Sequence, residues 1–78
     1  MAVMRNYMDI ETASGISRYV VDNVKTWKRA LEIAQNAIDK GFYPAEKLFS
    51  EDTFIRLTTP HGWTRKRLGM RDHKLFLE

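Results

Sequence analysis

Residues 53–68 read TFIRLTTPHGWTRKRL, and the fold of the whole chain is best predicted outward from them. Side chains alternate along the first seven residues with period two, which is typical of a half-buried strand. One face carries Thr53, Ile55, Leu57 and Thr59, and the other carries Phe54, Arg56 and Thr58. Pro60-His61-Gly62 predicts a hairpin connection, because proline cannot continue a central ladder and glycine permits the turn. Residues 63–68 are then the return strand.

The residues after this hairpin predict a further change of direction. Residues 69–72 (GMRD) have the composition of a turn, and a short last strand is expected over residues 73–77. The sequence leaves open whether this fifth strand forms.

One helix is predicted upstream. Asp22 or Asn23 offers an N-cap, and Gly41 ends the pattern as the residue after the last turn. Apolar residues recur every three or four positions between them, which is the spacing of a single helical stripe. The stripe comprises Val24, Trp27, Leu31, Ala34 and Ile38, widened by Ala30, Ile33 and Ala37. A single stripe needs one covering layer, and a sheet is the natural one.

The fold class predicted from these elements is α+β. Residues 5–12 (RNYMDIET) and 16–21 (ISRYVV) form another hairpin around Ala13-Ser14-Gly15. Pro44 favours a short helix over residues 45–49, although an irregular loop fits segment 44–49 nearly as well. The result is a small antiparallel sheet in the order β-β-α-β-β, with a fifth strand left open and one main amphipathic helix on one face. The other face would be partly open, which suits it to binding another molecule.

Composition limits the class of protein. A chain of 78 residues holds one domain, residues 1–78. The absence of cysteine excludes disulfide scaffolds, zinc fingers, iron–sulfur sites and thiol catalysis. No apolar run approaches the roughly 20 residues of a membrane span, and the start MAVMRNYMDIE has no signal-peptide core. We therefore expect a cytoplasmic protein that does not enter membranes.

The net charge of +3 is concentrated in one segment. Residues 56–74 contain six basic residues and a single acid, Asp72, which gives this segment a net charge of +5. His61 and His73 lie in the same stretch. Charge gathered in one segment indicates a binding surface. The competing explanation is that the basic residues only keep the surface soluble.

An aromatic residue lies among these bases. If residues 63–68 are a strand, then Trp63, Arg65 and Arg67 share its outer face. A ring that stacks on a base beside arginines that meet phosphates suits nucleic acid, and the same residues suit a protein interface. Alternatively, Trp63 is a core residue and the arginines protect an edge strand. The predicted binding surface comprises Arg56, His61, Trp63, Arg65, Lys66, Arg67, Arg71 and Lys74.

The sequence contains no catalytic or metal-binding motif. His61 and His73 lack the close spacing of a metal motif, and no serine has the context of a nucleophile. We therefore expect no metal and no small-molecule cofactor. The alternative function is a toxin-like small ribonuclease, in which His61 or His73 acts as general acid and base while Arg65 and Arg67 stabilise the phosphate.

A cysteine-free β-β-α-β-β chain of 78 residues is similar in size and architecture to the small inhibitors that phages and mobile elements encode against host machinery, including anti-CRISPR proteins. The resemblance implies a non-enzymatic module that docks on a nucleic-acid-handling protein complex. The basic segment leaves nucleic acid itself, DNA or RNA, open as the partner. Either a monomer or a homodimer fits the sequence.

Overall fold

A computed structural model describes residues 5–15 and 18–78. The elements are β1 (Tyr7–Thr12), β2 (Arg18–Asp22), α1 (Trp27–Asp39), α2 (Lys47–Ser50), β3 (Thr53–Thr59), β4 (Gly62–Arg71) and β5 (Lys74–Leu77). The strands form one antiparallel sheet in the spatial order β2-β1-β3-β4-β5. The α+β class with one main helix is as predicted, and the fifth strand that the sequence left open is present. In the part of the chain that is described, no helix is long and apolar enough to cross a bilayer.

Strand alternation places the core between the sheet and α1. Met8 lies opposite Leu57 and Ile10 opposite Ile55 where β1 pairs with β3, and all four side chains are buried. Burying an aliphatic side chain of this size contributes about 1.5–3 kcal/mol. The predicted alternation of β3 is confirmed, because Thr53, Ile55 and Leu57 are buried while the intervening residues are partly exposed.

The helix begins later than the sequence predicted. Its N-cap is Thr26, whose hydroxyl oxygen accepts a hydrogen bond from the Arg29 N–H at 3.2 Å. The predicted caps, Asp22 and Asn23, were wrong, because Asp22 ends β2 and Asn23 adopts a left-handed φ of 65° that an N-cap does not use. The end was predicted correctly: Gly41 follows the C-cap with a φ of 78°.

The residues of α1 closest to the sheet are alanines. Ala30, Ala34 and Ala37 are fully buried, whereas Trp27 and Leu31 are only partly buried. The centre of the apolar stripe therefore lies on the small residues rather than on the large ones. Without bulky side chains between them, the α1 backbone can lie close to the sheet.

The predicted turn at residues 69–72 was wrong. Strand β4 continues through Gly69 to Arg71, and the chain reverses at Asp72-His73, whose φ angles of 52° and 64° match a two-residue hairpin turn. Gly69 has another purpose, because a Cβ atom at this position would lie 2.5 Å from Cζ of Phe76. The glycine leaves space for the Phe76 ring to lie across β4.

Helix α1 also covers the outer edge of β5. The side-chain oxygen of Gln35 accepts a hydrogen bond from the Leu75 N–H at 2.8 Å, and its nitrogen donates to the His73 carbonyl at 3.0 Å. The amide of Gln35 thus takes the place of a neighbouring strand at these two residues, which blocks pairing there.

Replacing Tyr43 with phenylalanine is expected to stabilise the protein. Tyr43 is 3% exposed, and its hydroxyl has no hydrogen-bond partner among the described residues. Burial, and then the negative charge of Glu51, raise the pKa of Tyr43. Removing an unpaired buried hydroxyl should raise the free energy of unfolding by about 1 kcal/mol, as measured by urea denaturation. Tyr19 is only partly buried, so the matched change Tyr19→Phe should give no such gain. A loss of stability in Tyr43→Phe would contradict this account.

Candidate binding face

The sheet face that α1 does not cover, called the outer face here, carries the alternate residues of each strand. On β3 and β4 these residues lie in register, with Trp63 opposite Thr58, Arg65 opposite Arg56, and Arg67 opposite Phe54. Strand β1, which pairs with β3 on the side away from β4, contributes Asp9 and Glu11, and Asp9 lies opposite Arg56. Trp63 is 59% exposed, so it is not a core residue.

Two arginines stack on aromatic rings across this face. The Cζ atom of Arg56 lies 5.5 Å from the ring centroid of Trp63, and the Cζ atom of Arg65 lies 4.0 Å from that of Phe54. Cation–π contacts of this kind contribute about 0.5–1 kcal/mol each at exposed sites. The stacking also restricts the guanidinium groups, so these side chains have less conformational entropy to lose in any further contact.

Carboxylates from β1 hold the same arginines. Arg56 donates from Nε and Nη2 to the two carboxylate oxygens of Asp9, at 3.3 and 3.1 Å. The carboxylate of Glu11 lies 3.8 Å from Arg56 and 3.7 Å from Arg65. Asp9 is fully buried although it belongs to the outer face. The hydrogen bond to Asp9 is the largest cause that raises the pKa of Arg56, so this guanidinium stays charged at every physiological pH.

Arg67 has carboxylate partners as well. Its Nη2 lies 2.8 Å from Asp52 and its Nε lies 3.5 Å from Glu78. The three arginines at the centre of the face therefore meet four carboxylates, Asp9, Glu11, Asp52 and Glu78. The positive charge of segment 56–74 is largely compensated here by acids from other parts of the chain. We call Phe54, Arg56, Trp63, Arg65 and Arg67 the arginine–aromatic cluster.

Other residues of the predicted surface lie away from this cluster. Lys66 points to the opposite side of β4, where its Nζ lies 4.9 Å from the Trp27 ring. Arg71 and Lys74 pair across β4 and β5, and Arg71 lies over Phe76 at 5.7 Å. At about 3.3 Å per residue, Arg71 is some 26 Å from Trp63 along the strand. The structure thus brings four of the eight predicted residues together and separates the two lysines and Arg71 from them. The eighth, His61, lines a groove beside Trp63.

The two histidines occupy separate turns. His61 lies between β3 and β4, and His73 between β4 and β5. The ten residues of β4 separate them, which is about 30 Å of extended chain. They therefore cannot act on one phosphate together. Within residues 5–15 and 18–78, no group of three or more histidine, aspartate or glutamate side chains is placed to hold a metal ion.

Three members of the face were missed by sequence reasoning. Phe54 supports Arg65, while Asp9 and Glu11 hold the arginines in place. A signal was present, because residues 7–12 (YMDIET) alternate so that both acids share a face. Which strand pairs with β1 cannot be read from that pattern, so the meeting of these acids with Arg56 was not predicted.

Comparison of the chain with protein-family models, with curated proteins and with solved structures finds no match. The function is therefore inferred from the chemistry of the outer face.

Proposed function

We propose that this protein is a non-enzymatic binding module whose arginine–aromatic cluster docks on a protein component of a nucleic-acid-handling complex. One observation supports this proposal. Trp63 is exposed, and the arginines beside it are already held in place by aromatic stacking and by carboxylates. Tryptophan and arginine are the residue types that contribute most to binding energy at protein interfaces. Held side chains lose little entropy when they bind.

The charge distribution favours protein over nucleic acid as the partner. Binding to a duplex requires cations that are free to neutralise phosphates. At the centre of the outer face, the carboxylates of Asp9 and Glu11 lie next to the arginines and would repel a phosphate backbone. A protein can present both signs of charge to such a surface. The similarity in size and architecture to phage-encoded inhibitors supports an effector of nucleic-acid handling as the first partner to test.

Affinity capture with charge-matched baits tests this proposal. Wild-type protein, an Arg65→Ala/Arg67→Ala variant and a Lys25→Ala/Lys28→Ala control are each incubated with a bacterial lysate, with and without nuclease. The control also loses two positive charges, from one exposed position just before α1 and one in its first turn. We expect a stoichiometric protein on the wild-type and control baits that survives nuclease. The Arg65/Arg67 variant should retain less than about a tenth of it, because two interface residues are truncated.

Three results would contradict the proposal. If the Arg65/Arg67 variant retains as much of the captured protein as the wild type does, then this face is not the binding surface. Loss of retention after nuclease would identify nucleic acid as the partner, and its affinity should then fall by about 0.9 log units per log unit of salt for each neutralised duplex phosphate. Cleavage of RNA by the pure protein, abolished in His61→Ala or His73→Ala, would establish the ribonuclease instead.

A further inference from the structure

The first half of β4 has a neighbouring strand on one side only. Strand β3 pairs with residues 62–67, whereas β5 pairs with residues 68–71 on the other side of β4. The last contact of that second ladder is a 2.9 Å hydrogen bond from the Glu78 N–H to the Arg67 carbonyl. The residues from Gly62 to Arg67 are all exposed. Among the described residues, nothing pairs with the β5-side edge of β4 before Arg67.

The backbone groups at this edge point outward in an alternating pattern. The Arg67 carbonyl faces β5, so the N–H and C=O groups of Arg65 and Trp63 face the same side, because backbone direction alternates along an antiparallel strand. Those of Thr64 and Lys66 face β3. Two donors and two acceptors are therefore directed at the open edge, and such an edge is a template for another strand.

The side chains at this edge are basic. Arg65 and Lys66 lie on its two faces, and residues 62–71 contain no acid. Glu11 already lies 3.7 Å from Arg65, whereas Lys66 contacts the Trp27 ring and has no carboxylate within ion-pair distance among the described residues, so Lys66 is the cation left for an acidic partner. An antiparallel second copy would double the cations on this ladder, and one centred on Arg65 would set the two copies of Arg65 directly opposite each other, where like charges destabilise pairing. This edge therefore disfavours its own copy and favours an acidic strand.

We infer that this edge accepts an extended acidic segment of the partner protein, which adds to the sheet as a sixth strand beside residues 62–66. The inference rests on the proposed function, since it specifies the part of the partner that binds beside the arginine–aromatic cluster. A groove of about 210 Å³ lined by Leu57, His61, Trp63 and Thr64 lies next to this edge, and it can receive one side chain of the added strand. The outer edge of β5, by contrast, is covered by Gln35.

Amide hydrogen exchange measured by NMR tests the inference with a defined probe. The probe is a capped heptapeptide in which glutamate and valine alternate. At saturation, exchange should slow about tenfold or more at Trp63 and Arg65, with Thr64 and Lys66 unchanged because β3 already pairs with them. A binder that is not a strand would not produce this alternation. The same peptide with alternate N-methyl groups, and a lysine–valine peptide, should protect neither amide.

A charge reversal at the edge tests the chemistry of the occupant. Lys66→Glu should weaken binding of the acidic peptide about fivefold, whereas Lys25→Glu, at an exposed position before α1, should leave it unchanged. Equal binding by both variants would overturn the acidic assignment. Unchanged exchange of Trp63 and Arg65 at millimolar peptide would overturn strand addition. Protection of these amides that rises with protein concentration alone would identify a second copy as the occupant and overturn the inference.

The two proposals can fail separately. Suppose that a captured partner depends on Arg65 and Arg67 but does not protect the amides of Trp63 and Arg65. That result would support binding at the outer face and contradict strand addition at the β4 edge. If the peptide protects these amides but no partner is captured, strand addition at the β4 edge would be supported and the proposed function would be rejected.

Discussion

Replacing Arg56 with leucine is expected to lower the free energy of unfolding by about 3–5 kcal/mol. Asp9 is fully buried, and Arg56 donates two hydrogen bonds to its carboxylate. Leucine would leave that negative charge buried next to an apolar side chain, and Glu11 nearby would add repulsion. A domain of 78 residues has a total stability of only about 4–12 kcal/mol, so urea denaturation of this variant should show a greatly lowered midpoint.

Two further variants separate the buried charge from the loss of an ion pair. Asp9→Val combined with Arg56→Leu removes both charges and should be more stable than Arg56→Leu alone. Arg67→Leu breaks a pair with Asp52 that is 2.8 Å long, shorter than the Arg56–Asp9 contact, yet both of its side chains are more than half exposed. It should cost less than about 1 kcal/mol, because solvent screens exposed pairs. A double variant as unstable as Arg56→Leu would show that the loss does not come from burying the Asp9 carboxylate without its arginine.

Local patterns predicted the elements of this fold where one face of a strand or helix is buried. The alternation of residues 53–59 predicted the bounds of β3 because Thr53, Ile55 and Leu57 face the core. The turn at Asp72-His73 was missed because neither residue is the glycine that usually supplies a positive φ, and both adopt one here. Gly69 was taken for a turn residue because its purpose, space for the Phe76 ring, depends on a strand that comes later in the chain.

The shared face of Trp63, Arg65 and Arg67 was predicted, but the acids around it were not. Sequence placed Trp63, Arg65 and Arg67 on one face, and the structure has them there. The count of charges over residues 56–74 did not include Asp9 and Glu11, which reach these arginines only because β1 pairs with β3. Such pairing joins residues more than forty positions apart, as the Arg56–Asp9 hydrogen bonds do, and no local pattern encodes it.

Truncating Trp63 should remove most of the affinity for the protein partner without unfolding the module. Trp63→Ala is expected to cost about 2–4 kcal/mol of binding free energy, which is a 30- to 700-fold rise in Kd measured by calorimetry with the captured partner. Its stability should change by less than about 1 kcal/mol, because the side chain is 59% exposed. Phe42→Ala is the matched control, since Phe42 is equally exposed at 62% but follows α1, away from the outer face.

Coupling between Trp63 and Arg56 distinguishes an interface residue from a merely exposed one. The Trp63 ring stacks on the guanidinium of Arg56, and the carboxylate of Asp9 holds that guanidinium by accepting its hydrogen bonds. Both groups should therefore meet the partner as one unit, and removing them together should cost less than the sum of the single losses. Arg56→Lys keeps the charge that Asp9 needs while losing the planar stacking surface, so it suits this cycle better than Arg56→Leu. Strictly additive losses of binding free energy would show that the two side chains contact the partner independently. If Trp63→Ala raises Kd no more than Phe42→Ala does, then Trp63 is not part of the interface.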